Sequence, residues 1–197
     1  MIVSRSMKFS PSLLARKILC IRYVPAPFRD SDRLKLQGLH AMTTIRVIAR
    51  HLQLGYRLMK VEQSGGGYRI DLMFESISTG RKRLNEVKSS KTIREVHRIQ
   101  AALYAALPVH MNIDEIAVSN KEIDEILSPD FIEEVQRRAQ FTCQLLSTDL
   151  VTAATTYTPH EDCCYICGSR SCPFLPIQTQ SKPQPHTRAS PESKGPW

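Results

Sequence analysis

The sequence predicts an α/β domain in which helices flank a mixed sheet. Three observations carry this. The apolar period changes from helical to strand-like after Leu54. Three short runs between Tyr56 and Ser89 are separated by turn signals at Gly65-Gly66-Gly67 and Ser78-Thr79-Gly80. A helix then intervenes before a further short strand, an order that adds a strand to the sheet across a helix rather than by a hairpin.

Taken in order, Ser10-Pro11 opens a helix over 10–22 carrying Leu13, Leu14, Ile18 and Leu19, with Pro25 and Pro27 ending it. A second helix over 32–54 has Leu34, Leu39, Met42, Ile45, Val47, Ile48 and Leu52 as its apolar residues. Strands follow over 56–62, 68–75 and 83–89. In the middle one Tyr68, Ile70, Leu72 and Phe74 alternate onto one face. The spacing predicts a helix over 92–107 stopped by Pro108, a strand over 115–119, and a last helix over 129–150 with Ser128 as N-cap. One domain is expected over 1–175. Residues 176–197 are rich in Pro, Ser, Gln and Lys without apolar period, and a disordered tail is expected there.

The 197 residues carry a formal net charge of +8, which favours polyanionic partners and suits contacts to a phosphate backbone. No apolar run is long enough to span a bilayer, and the first residues lack the pattern of a signal peptide. A cytoplasmic protein with no membrane association is expected. In a reducing compartment, clustered cysteines read as metal ligands before disulfides.

The chemistry is concentrated in two neighbouring strands. Asp71 is an acid within an apolar run, and Glu86 and Lys88 share a strand face two residues apart. A hairpin turning at Ser78-Thr79 pairs Asp71 with Glu86. A turn at Thr79-Gly80 pairs Asp71 with Lys88, and either register keeps the three groups together. Carboxylates are hard ligands for Mg²⁺ or Mn²⁺, and the backbone carbonyl of Val87 is another. Such an ion activates water and polarises a phosphodiester, and a lysine stabilises the charge that develops. The plainer alternative is an edge hairpin with solvated charges. His97, Gln100 and Tyr104 recur on one helical face that can line the same cleft, and His40 on the second helix can supply an imidazole ligand. His51 and His110 have no such context.

Cys163, Cys164, Cys167 and Cys172 lie within ten positions, a clustering that core packing does not explain. Spacing alone fits two readings: an iron–sulfur cluster, or Zn²⁺ held by Cys163 or Cys164 with Cys167, Cys172 and His160. Cys143, on the last helix, is expected to be a buried thiol.

In order, Gly38-Leu39-His40, Ile70-Asp71, Glu86-Val87-Lys88 and His97-x-x-Gln100-x-x-x-Tyr104 resemble the successive motifs of RecB-like nucleases of the PD-(D/E)XK superfamily. With Cys20 before this core and Cys164-x-x-Cys167-x₄-Cys172 after it, the chain resembles the CRISPR-associated Cas-four exonucleases over residues 8–174. Where that family has proline after its first cysteine, this chain has Ile21. The resemblance implies His40, Asp71, Glu86 and the Val87 carbonyl as ligands of Mg²⁺ or Mn²⁺, and Lys88 as the catalytic lysine supported by Gln100 and Tyr104. It implies a [4Fe–4S] cluster on Cys20, Cys164, Cys167 and Cys172, with Cys163 a possible substitute for Cys164. It further implies exonuclease action on single-stranded DNA, trimming spacer precursors beside the integrase proteins Cas-one and Cas-two. A repair or recombination nuclease outside CRISPR, and a nuclease-like adaptor that cuts nothing, remain the alternatives.

Overall fold

The structure, a computed structural model, describes residues 10–27, 30–65, 68–106, 112–148 and 167–169. The expected tail, and Cys163, Cys164, Cys172, His110 and His160, lie outside the described residues.

A five-stranded mixed sheet forms the centre, in the order β1 (Tyr56–Gly65), β2 (Tyr68–Ser76), β3 (Lys82–Val87), β4 (Glu115–Ser119), β5 (Asp124–Ile126). β3 and β4 are parallel and every other pair is antiparallel. The parallel step is made by α3 (Glu95–Leu103), which continues as a 3₁₀ turn over Tyr104–Ala106. The α/β architecture expected from sequence is therefore present. β5 was not expected: three residues carry too little periodicity to register as a strand.

Two layers of helix cover the sheet. α1 (Pro11–Leu19), α3 and α4 (Pro129–Thr148) pack together on one side, where Leu14, Ile18, Ile99 and Leu103 meet Leu84, Ile116 and Val118. Ser10 caps α1, accepting the Leu13 N–H, and Ser128 caps α4, accepting the Phe131 N–H at 3.2 Å. α1 stops three residues earlier than the sequence suggests, because the backbone is already extended at Cys20. α3 begins three residues later than expected, at Glu95.

α2 (Asp30–Gln53) lies on the other side, where Val47 joins Leu72, Phe74 and Val87 in a smaller cluster. Just past its end lies Gly55, whose φ of +81° lets the chain turn toward β1. The expected apolar face of α2 is not its buried face. Thr43, Val47 and His51 are buried, whereas Leu34, Leu39, Met42, Ile45 and Leu52 are exposed. One helix crossing a narrow sheet can bury only the few positions that point at it.

His51, which has no context in the sequence, is fully buried. Its ring stacks on Phe74 at 4.3 Å, Nδ1 lies 2.9 Å from the Val47 carbonyl, and Nε2 lies 3.4 Å from Asp124. Asp124 also accepts from Asn85 at 3.0 Å and from the Ser119 hydroxyl, and pairs with Arg83 at 3.0 Å. This network ties the short β5 to β3, β4 and α2. Cys143 is only half-buried, at the edge of the larger core; burial still pushes its thiol pKa up.

Candidate functional site

The β2–β3 hairpin sets the geometry. Leu72 pairs with Asn85 and Glu75 with Lys82, so the hairpin turns between Ser78 and Thr79. This is the register that brings Asp71 opposite Glu86, one step beyond the last ladder pair. There the Asp71 carboxylate takes over from the backbone and accepts the Val87 N–H at 2.8 Å. The alternation expected along β2 breaks at this point. Ile70 joins the α1–α3 core, while Leu72 and Phe74 join the α2 cluster. Glu62, with a positive φ of 48°, marks the irregularity on the β1 side.

Asp71, Glu86, Val87 and Lys88 line a single cleft of about 1310 Å³, together with His40, His97, Gln100 and Tyr104. The structure thus places on one cleft the candidate site residues that the two strands, the second helix and the third helix were expected to supply. The cleft opens at the C-terminal end of β3, beside the parallel pair, where α/β sheets commonly place their ligands.

Within it, Glu86 and Lys88 are closely paired. Lys88 Nζ lies 2.5 Å from Glu86 Oε1 and also donates to Gln100 Oε1 at 3.0 Å. Gln100 Nε2 donates to Glu86 Oε1 at 2.7 Å, and the Tyr104 hydroxyl, 3.4 Å from Gln100, donates to the Arg69 carbonyl at 2.8 Å. The sequence spacing i, i+4 on α3 is what aligns Gln100 with Tyr104. Burial raises the Glu86 pKa, opposed by the Lys88 ammonium. Burial also raises that of Tyr104, which keeps its phenol protonated and donating.

His40 reaches the cleft from α2, with Nε2 3.6 Å from Asp71. The hydrogen bond to Asp71 raises the His40 pKa against the effect of its burial. Among the described residues, no three His, Cys, Asp or Glu side chains are gathered tightly enough to hold a metal ion. The donor set nevertheless fits one. Glu86 Oε2 is buried with no hydrogen-bond partner. A carboxylate oxygen without a partner is costly to bury, and a proton or a hard cation relieves it. Asp71 and His40 stand on the same cleft.

The cleft has a second character that the sequence reading missed. Arg16, Arg33, Arg69 and Arg94 also line it, as do Ser10 and Ser12 at the start of α1. They come from four different elements, so no run of basic residues announced them.

Two of the expected cluster cysteines are described. Cys20 is buried just past α1. Residues 167–169 return to the segment after it: Cys167 bridges Pro25, and the Gly168 N–H donates to the Val24 carbonyl at 2.8 Å. Any side chain at Gly168 would come within 2.9 Å of the Ala26 backbone, so this close approach requires glycine. Cys167 packs against the core that contains Cys20, and Lys17 lies close enough to feel both thiols; burial lowers its pKa and the two thiols oppose that.

No helix among the described residues is long and apolar enough to cross a membrane. No protein-family model matches the chain, and no curated protein and no solved structure matches it.

Proposed function

We propose that this chain is a metal-dependent nuclease of the RecB-like PD-(D/E)XK type that hydrolyses phosphodiester bonds in single-stranded DNA. The observation that carries the reading is the junction of Lys88, Glu86 and Gln100 on the same cleft as Asp71. A buried acid with one open oxygen, a second acid beside it and an oriented ammonium form the minimum set for this chemistry.

Asp71, Glu86, His40 and the Val87 carbonyl would hold Mg²⁺ or Mn²⁺. When bound, the ion supplies positive charge at the scissile phosphate and acidifies a water. The chain's own contribution is positional. Lys88 directs its ammonium at the phosphate oxygen on which charge develops. Gln100 fixes that ammonium, and Tyr104 fixes Gln100. The +8 net charge and the arginines of the cleft favour a polyanionic strand.

The approach of Cys167 to the segment after Cys20 supports an iron–sulfur cluster that joins the ends of the chain, with Cys164 and Cys172 completing it. Anaerobic purification with an iron count decides this. About four irons per chain and a brown colour support it, and one zinc with no colour overturns it. The same cysteine and nuclease motifs support a place in CRISPR adaptation beside Cas-one and Cas-two. Flanking integrase genes would separate this from a repair nuclease of the same fold.

Two observations favour a different reading. Lys88 is closed onto Glu86, and three metal donors are not gathered among the described residues. An adaptor that binds DNA without cutting it would look like this. The test is degradation of a labelled single-stranded oligonucleotide with Mn²⁺. Turnover by the wild type that is lost in Lys88→Ala supports the nuclease, and binding without turnover supports the adaptor.

A further inference from the structure

The cleft carries charges of both signs. Asp71 and Glu86 line it with Asp30, Glu62 and Lys88. Arg16 reaches it from α1, and Arg94 and His97 reach it from the start of α3. Arg16 and His97 are held in place. Arg16 Nη1 donates to the Tyr23 hydroxyl at 2.6 Å and its guanidinium lies 5.1 Å from the centre of that ring. Arg94 is the N-cap of α3.

His97 occupies the third helical position, where Glu or Gln usually reaches back to the N-cap in a capping box. Here the Arg94 N–H donates to His97 Nδ1 at 3.2 Å. That bond fixes the tautomer: with Nδ1 accepting, the neutral ring carries its hydrogen on Nε2. No described residue accepts from Nε2. Burial, then the charges of Lys88, Arg94, Arg16 and Arg98, push the ring pKa down to about 4, so it stays neutral near pH 7. Arg98 is already engaged in a two-point ion pair with Glu125 and takes no part. A fixed N–H donor close to two guanidinium groups, that of Arg16 anchored on Tyr23, is an environment that suits an anion.

We propose that His97, Arg16 and Arg94 form a phosphate-binding subsite that holds the phosphate adjacent to the scissile one on a single strand. The proposal rests on the nuclease reading, which places the scissile phosphate at Lys88. The subsite would fix the strand's register so that one phosphodiester after another reaches Lys88.

The test is binding of a short fluorescent single-stranded oligonucleotide, read by anisotropy without added divalent ion so that no strand is cut. His97→Glu restores the usual capping-box acceptor but turns a donor into a carboxylate. It should keep the wild-type melting temperature and weaken binding about tenfold or more, since a like charge then faces the phosphate. His97→Gln retains both an acceptor and a donor and should bind within about threefold of wild type. Arg94→Gln should lower the slope of log affinity against log salt by about one. A single methylphosphonate moved along the strand should weaken wild-type binding at one position and leave His97→Glu indifferent there. If wild type binds and His97→Glu binds equally well, the subsite is wrong while the nuclease reading stands. If wild type binds no oligonucleotide, both fall.

Discussion

Asp71 does not continue the β2–β3 ladder; its side chain accepts the Val87 N–H at 2.8 Å and so binds the strand that carries Glu86 and Lys88. The first acid is thereby positioned by the backbone next to the second. Asp71→Ala should cost both roles. Mn²⁺ affinity read by calorimetry should fall at least about tenfold, and the unsatisfied Val87 N–H should lower stability by about 1–3 kcal/mol. Asp71→Asn can still accept the Val87 N–H. It should keep most of the stability while losing the metal, and equal metal affinity in both variants and wild type would remove Asp71 from the site.

Gln100 touches both members of the Lys88–Glu86 pair. Gln100→Ala should lower kcat for oligonucleotide hydrolysis by about 10–100-fold with KM little changed, because it misdirects the ammonium without removing a substrate contact. A rise in KM at unchanged kcat would make Gln100 a binding residue instead. Lys88→Met should cost more, about 10²–10³-fold in kcat.

His97 gives the fold an acid-sensitive element. Its ring pKa, depressed by burial and neighbouring cations, is about 4 in the folded chain, against about 6.5 unfolded. Between these values the unfolded chain binds the extra proton, so this contribution to stability is full above about pH 6.5 and is lost toward pH 4. The urea midpoint should fall across that window, and His97→Gln should flatten the fall. An unchanged slope in the variant would assign the acid sensitivity elsewhere.

The β5 network offers a test independent of function. Asp124 is held down to about 2: burial acts to raise it, but hydrogen bonds from His51 and Ser119 and the nearby charges of His51 and Arg83 outweigh that. Asp124→Ala leaves Arg83 buried with one partner fewer, strips the Ser119 hydroxyl of its acceptor and removes one of the acceptors of Asn85. Chemical denaturation should show a loss of about 3–5 kcal/mol. A loss below about 1 kcal/mol would show that Glu115 alone suffices for Arg83.

How much of this was legible in the chain depends on the range of the interaction. The caps at Ser10 and Ser128, strand β4 and the even-numbered β2–β3 turn follow from local rules, since each involves residues a few positions apart. The pairing of Glu86 with Lys88, and of Gln100 with Tyr104, follows likewise from strand and helix period. Which side of α2 is buried was not legible. Its apolar residues cover more of the helix than the sheet can, and only the placement of β1 and β3 selects Val47 and His51.

The sequence by itself determined the elements and the identity of the groups available for chemistry, because backbone periodicity and side-chain type are properties of the local chain. Tertiary structure alone decided that Asp71 meets Val87, that Arg16 and Arg94 share a cleft with Lys88, and that His51 joins Asp124. Those contacts join residues from separate elements. Their distances are set by how helices and strands pack, which no spacing along the chain encodes.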